Sequence, residues 1–120
     1  MELLIIDDNQ DILDLLKDLF SRYYPEVKII LASNGTEGKK KIDNLKDNSI
    51  VLSDIRMPDY TGLEIARFLK NKNQKIPIFL MTAYNVEEYK QIADSIGVEK
   101  IISKVYGFKA IVQALSDYLS

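Results

Sequence analysis

The sequence contains no cysteine and no histidine. Without thiols there is no disulfide, no thiolate metal site and no cysteine nucleophile. Without imidazole there is no Ser-His-Asp triad, no histidine-bound zinc and no phosphohistidine carrier. Any chemistry must come from carboxylates, hydroxyls and lysines. No apolar run approaches the ~20 residues needed to cross a membrane. The start, Met-Glu-Leu-Leu-Ile-Ile-Asp-Asp, lacks the basic segment of a signal peptide. Neither sign of charge dominates: 16 Lys and Arg face 18 Asp and Glu, for a net charge of −2. That balance gives no support to direct nucleic-acid binding, and Lys39-Lys40-Lys41 reads as a solvated helix face. There is no internal repeat, low-complexity segment or linker. What remains is an ordinary chain of 120 residues, 47% hydrophobic and 28% charged, which predicts one globular domain over residues 1–120. The absence of cysteine is compatible with a reducing compartment, and a cytoplasmic location is expected.

Five short apolar runs read as strands: residues 3–6, 27–31, 50–53, 77–81 and 98–102. Helical spacing fills the gaps. Ile12, Leu13, Leu15, Leu16, Leu19 and Phe20 form a wide stripe after a cap at Asp8 or Asn9. That helix should stop near Tyr24, ahead of Pro25. A weaker helix is predicted over 36–46, with Gly38, Ile42 and Leu45 inward. Gly38 should cost it about 0.5–1 kcal/mol relative to Ala. Ile65, Ala66 and Leu69 mark a third helix. Tyr89, Ile92, Ala93 and Ile96 mark a fourth, ended by Gly97. Phe108, Ile111, Val112, Leu115 and Leu119 mark a last one. Regular alternation of strand and helix predicts a parallel sheet of five strands covered on both faces.

Polar residues close these apolar runs. Asp7 and Asp8 follow the first, Asp54 the third, Thr82 the fourth and Lys104 the fifth. In a parallel sheet all of them reach one edge, the edge where open α/β sheets bind ligands. Singly, each has an ordinary explanation as a cap, a turn residue, a strand residue or a surface charge. Together they make a site. Three carboxylates in a small space need a raised pKa or a cation, and oxygen ligands favour a hard divalent ion such as Mg²⁺, or Mn²⁺. In such a site Asp54 could attack phosphorus and form an aspartyl phosphate. Thr82 and Lys104 could each bind a phosphoryl oxygen.

The segments Leu-Ile-Ile-Asp7-Asp8-Asn, Val-Leu-Ser-Asp54-Ile-Arg-Met-Pro58-Asp-Tyr-Thr-Gly62, Phe-Leu-Met-Thr82-Ala83-Tyr84 and Ile-Ser-Lys104 carry a resemblance. In that order and spacing the chain resembles, over its full length, the receiver domain of bacterial two-component response regulators. The resemblance implies a flavodoxin-like (βα)5 doubly wound α/β fold, with strand order 2-1-3-4-5. It implies Asp54 as phosphoacceptor, with Thr82 and Lys104 reading the phosphoryl group. It implies Mg²⁺ (or Mn²⁺) on Asp8 and Asp54 directly, on Asp7 through water, and on the main-chain carbonyl of Arg56. The phosphodonor would be a sensor histidine kinase or a histidine phosphotransfer protein. The domain would thus be a phosphoacceptor assisting its own phosphorylation and dephosphorylation, not a turnover enzyme.

Two positions depart from the family pattern. Val105 stands where proline usually follows the site lysine, so a trans Lys104–Val105 bond and a rerouted loop are expected. Ile101 replaces a common aromatic, which should mute the usual report of phosphorylation. Arg56 and Tyr84, two residues after Asp54 and Thr82, are long enough to hang over the site and shield an acyl phosphate from water.

The sequence stops after the last helix, so a stand-alone or excised receiver is expected. Its output would be a protein contact on the fourth helix, fifth strand and fifth helix, where Tyr106, Ala110, Gln113, Ala114 and Tyr118 lie off the core stripe. The downstream protein is not named by the sequence, and a homodimer is compatible with it. The alternative is a receiver-like binding module that signals without phosphorylation. A phosphohydrolase of the haloacid dehalogenase type would want its two aspartates spaced two apart after the first strand, and Asp7 and Asp8 are adjacent. A flavin-binding flavodoxin-like protein would find Asp7-Asp8 repelling its phosphate.

Overall fold

A computed structural model describes residues 1–119. The elements run β1 (Glu2–Ile6), α1 (Gln10–Tyr23), β2 (Lys28–Ala32), α2 (Gly35–Ile42), β3 (Ile50–Asp54), α3 (Gly62–Lys72), β4 (Ile78–Thr82), α4 (Glu87–Ile96), β5 (Lys100–Ser103), α5 (Phe108–Ala114) and α6 (Ser116–Leu119). A 3₁₀ turn, Lys104–Tyr106, joins β5 to α5. The five strands are parallel, in the order β2-β1-β3-β4-β5. The doubly wound arrangement read from the sequence is the one observed.

The central strands β3 and β4 are buried at every residue. That is why their sequences are continuous apolar runs and do not alternate. Successive side chains still point to opposite faces. Leu3 and Ile5 pack with Leu13, Leu16 and Phe20 of α1 and with Ile111 and Val112 of α5. Leu4 and Ile6 pack with Ile42 of α2, Ile65 and Leu69 of α3, and Ala93 of α4. Asn9 caps α1, its side chain accepting the N–H groups of Asp11 and Ile12. Among the described residues no helix is long and apolar enough to cross a membrane.

Three helices differ from expectation. α2 ends at Ile42, not at residue 46. Beyond it only Leu45 is apolar, and Leu45 N–H bonds back three residues to Ile42 in a turn. Gly38 is not a simple propensity cost. A Cβ there would lie 2.7 Å from Cδ1 of the fully buried Ile6, so the glycine lets α2 approach β1. Ile92, expected inward, is 46% exposed, and Ala93 is the buried residue of α4. The last helix is interrupted at Leu115, whose N–H reaches back to Val112. The tightened turn keeps Leu115 and Leu119 in the core and sets Tyr118 edge-on to Phe79, with ring centroids 5.1 Å apart.

The β3–α3 loop is tied to the start of α2 by one carboxylate. Asp59 Oδ1 accepts the N–H groups of Gly35 and Tyr60, both at 2.9 Å, and Oδ2 accepts the Thr36 N–H and hydroxyl, both at 2.7 Å. Partial desolvation opposes its charge, but these donors outweigh it and hold the carboxyl well below the usual carboxylate range. Asn34 caps the same helix by accepting the Glu37 N–H. At the entry to β3, Ser49 is buried, and its Oγ has no hydrogen-bond partner among the described residues.

Asp59→Ala should lower stability at neutral pH by about 1–2 kcal/mol, the scale of a lost helix cap. Because the folded pKa of Asp59 is depressed, its contribution is full above the unfolded value of 3.8 and is lost as pH falls below it. Urea melts of wild type and variant should therefore converge in acid. Ser49→Ala should raise stability by about 1 kcal/mol, since it removes an unpaired buried hydroxyl. A urea midpoint no higher than wild type would count against this.

Candidate functional site

The parallel sheet brings five polar residues to one edge. Asp54 and Thr82 are the last residues of β3 and β4. Asp7 and Asp8 directly follow β1, and Lys104 directly follows β5. Asp7, Asp54 and Thr82 are buried, and Asp8 is exposed. One carboxylate oxygen from each of Asp7, Asp8 and Asp54 lies within 4.8 Å of the others. Lys104 Nζ is 3.0 Å from Asp7 Oδ2 and 3.1 Å from Asp54 Oδ1. Asp7, Asp8, Asp54 and Lys104 therefore converge, and Thr82 ends the strand next to that of Asp54.

Each side chain is positioned by local chemistry. Asp7 Oδ1 accepts the Asn9 N–H at 2.9 Å, which leaves Oδ2 for Lys104. The Thr82 hydroxyl oxygen accepts the Tyr84 N–H at 3.0 Å, so its hydrogen can be donated elsewhere. Ser53 Oγ donates to the Asp54 carbonyl at 2.9 Å. A Cβ on Gly62 would fall 2.5 Å from that carbonyl, so only glycine lets α3 begin there. The Gly62 N–H bonds to Ile55 O at 2.8 Å and closes the loop beneath the site.

The electrostatics follow from burial. Burial raises the Asp54 pKa to about 6, Asp7 and Asp8 add to the rise, and Lys104 opposes it. Burial disfavours the Lys104 ammonium, but Asp54 and Asp7 outweigh this and raise its pKa. One ammonium does not balance three carboxylates. The clustered donors are all oxygen, and their spacing fits a hard divalent cation.

The departure at Val105 has a defined outcome. The Lys104–Val105 bond is trans, as expected. The chain turns through the 3₁₀ segment, with the Val105 N–H donated to Ser103 Oγ at 3.2 Å. Lys104 still reaches both buried carboxylates. Arg56 and Tyr84 pair with each other: the guanidinium carbon is 3.8 Å from the Tyr84 ring centroid. Arg56 Nε also donates to Tyr89 Oη at 3.0 Å. Sequence reading did not find the roles of Ser53, Asp59, Gly62 or Tyr89. Asp59 and Tyr89 bond residues 23 to 33 positions away, Ser53 and Gly62 act on residues close by in the chain, and only the Pro58-to-Gly62 stretch signalled a constrained loop.

Residues 3–116 match the response regulator receiver domain family. The response regulator SaeR of Staphylococcus aureus is 29% identical over 118 residues, covering 98% of this chain and 50% of that protein. The chain thus spans about half the length of the curated relatives it matches. Among solved structures, the response regulator protein TrrA of Thermotoga maritima, in complex with Mg²⁺-BeF, is 28% identical with a TM-score of 0.82 and covers 98% of each chain. A CheY-like receiver domain protein of Methanospirillum hungatei shares the fold, with a TM-score of 0.86 at 24% identity over 98% of this chain and 92% of that one. With the matched segment spanning nearly all of the chain and the acidic cluster at the ends of β1 and β3, the chain belongs to the response regulator receiver domain family of two-component signalling.

Proposed function

We propose that this domain accepts a phosphoryl group on Asp54 from a phosphohistidine of a sensor histidine kinase or histidine phosphotransfer protein. The observation that carries the reading is the position of Asp54, buried at a strand end between Asp7, Asp8 and Lys104. An Asp54 carboxylate oxygen attacks phosphorus, the phosphorus–nitrogen bond of the donor breaks, and its electron pair returns to the imidazole. The product is an acyl phosphate. Lys104 moves its charge onto a phosphoryl oxygen, and the Thr82 hydroxyl donates to another.

Asp7, Asp8, Asp54 and the main-chain carbonyl of Arg56 would hold a divalent cation, Mg²⁺ or Mn²⁺, and when bound it offsets the negative charge of carboxylates and phosphoryl oxygens. The Mg²⁺-BeF complex of the Thermotoga relative supports this assignment. The domain is read as a phosphoacceptor that assists its own phosphorylation and dephosphorylation. A cytoplasmic setting suits a kinase donor.

The reading places output on α4, β5 and α5. A groove of about 770 Å³ lies there, lined by Tyr84, Ile101, Val105, Tyr106, Ala110 and Ala114 among others. Tyr106 is 81% exposed beside it. A protein partner or a second copy of the domain would meet this face. Lys104 reaches the carboxylates despite Val105, which removes that residue as an argument for signalling without phosphorylation.

Incubation with Mg²⁺ and acetyl phosphate should add one phosphate to the intact mass of wild type and none to Asp54→Ala. Omitting the cation should abolish the adduct. Its absence under all conditions would sink the reading. The raised Asp54 pKa also has a thermodynamic sign. The unfolded chain releases this proton near 3.8 and the folded chain near 6, so metal-free stability falls as pH rises between them. Asp54→Asn should therefore stabilise the metal-free protein by on the order of 1–3 kcal/mol at pH above 6, with the gain fading towards pH 3.8. Urea titrations across that range measure it. A gain that does not change with pH would show that the carboxylate charge is not its source.

A further inference from the structure

Arg56 joins three parts of the molecule that the sequence keeps apart. It lies in the loop after β3, two residues beyond Asp54. Its guanidinium stacks on Tyr84 in the loop after β4, 3.8 Å from the ring centroid. Its Nε reaches Tyr89 Oη, in the first turn of α4, at 3.0 Å.

The first turn of α4 has few other holds. Val86 at its start offers no side-chain cap, and Asn85 Oδ1 takes the single N–H of Glu87 at 3.0 Å. Ala93 is the buried residue of this helix, while Tyr89 and Ile96 are only partly buried against the core. α3 stands in contrast, with a complete capping box and four buried residues. The Arg56 contacts thus fall where α4 is least secured.

We propose that Arg56, Tyr84 and Tyr89 form a clasp holding the first turn of α4 to the strand end that carries Asp54, and that a phosphoryl group on Asp54 draws Arg56 away and releases that turn. The inference rests on the phosphoacceptor reading of Asp54. In the clasp Arg56 is held by a neutral phenol and an aromatic face, both on the protein surface. A phosphoryl group offers it anionic oxygens, and charge-assisted bonds from guanidinium to phosphate are the stronger and geometrically matched ones. The side chain cannot serve both sets of partners. Occupancy of the site is thereby converted into looser tethering of α4, next to the groove lined by Tyr84 and Val86.

Hydrogen exchange of the α4 amides, followed by mass spectrometry on the whole chain, tests both halves. Tyr89→Phe keeps the ring packed against the core and removes only the hydroxyl. In the unphosphorylated protein this variant should exchange about threefold or more faster than wild type over residues 87–90. Protection in α1 and α3 should be unchanged, which shows that the variant is folded. Wild type treated with acetyl phosphate and Mg²⁺ should reach the rate of the variant, and the variant should gain little more. Equal α4 exchange in unphosphorylated wild type and Tyr89→Phe overturns the clasp. A wild-type phosphate adduct with unchanged α4 exchange overturns the release. A missing adduct in the intact mass defeats the phosphoacceptor reading and the release with it, while the comparison of the two unphosphorylated proteins still judges the clasp.

Discussion

Mutual repulsion among Asp7, Asp8 and Asp54 is the constraint around which this structure is arranged. Carboxylate oxygens within 4.8 Å of one another, two of them on buried residues, oppose folding unless positive charge is brought to them. Lys104 supplies part of it from the far side of the sheet, at 3.0 and 3.1 Å from Asp7 and Asp54. Its backbone must therefore leave β5 at the same edge as β1 and β3. Parallel strands with crossover helices achieve this, because every strand then ends at that edge. The remaining charge deficit is what makes the site receptive to a divalent cation.

Close approach of backbone to backbone serves the same end. Gly62 lets α3 start against the Asp54 carbonyl, and Gly38 lets α2 lie on Ile6 of the strand that leads to Asp7. Asp59 fastens the loop between β3 and α3 to α2, 23 and 24 residues earlier in the chain. The side of the site facing α2 and α3 is thus tightly tied. The side facing α4 is not, because α4 buries one residue and is tethered at its start by Arg56 and Tyr89. Tethering is thus distributed unequally around one carboxylate.

Much of this was legible in the residues. Buried parallel strands must be apolar on both faces, so β1, β3 and β4 stood out as continuous runs, and a polar residue, Asp7, Asp54 or Thr82, closes each of them. Helix limits were less legible. The stripe rule placed Ile92 inside, but α4 is packed at its edge and leaves that side chain to solvent. The apolar spacing from Phe108 to Leu119 reads as one helix, but the chain turns at Leu115, and the packing of Leu115 and Tyr118 against the core holds two. Gly38 carried a helix penalty that its close contact with the Ile6 side chain offsets.

The sequence by itself determined the parallel α/β class, the strand count and the edge to which Asp7, Asp8, Asp54 and Lys104 are brought. Those features follow from hydrophobic period and from the chemistry of single residues, both of which are local. Only the tertiary structure decided that Lys104 reaches both buried carboxylates past Val105, that Asp59 caps a distant helix, and that Arg56 is shared between Tyr84 and Tyr89. These are distances between residues 23 to 97 positions apart in the chain. No periodicity encodes such distances, because they are set by how far each helix and loop carries the chain before it returns to the sheet.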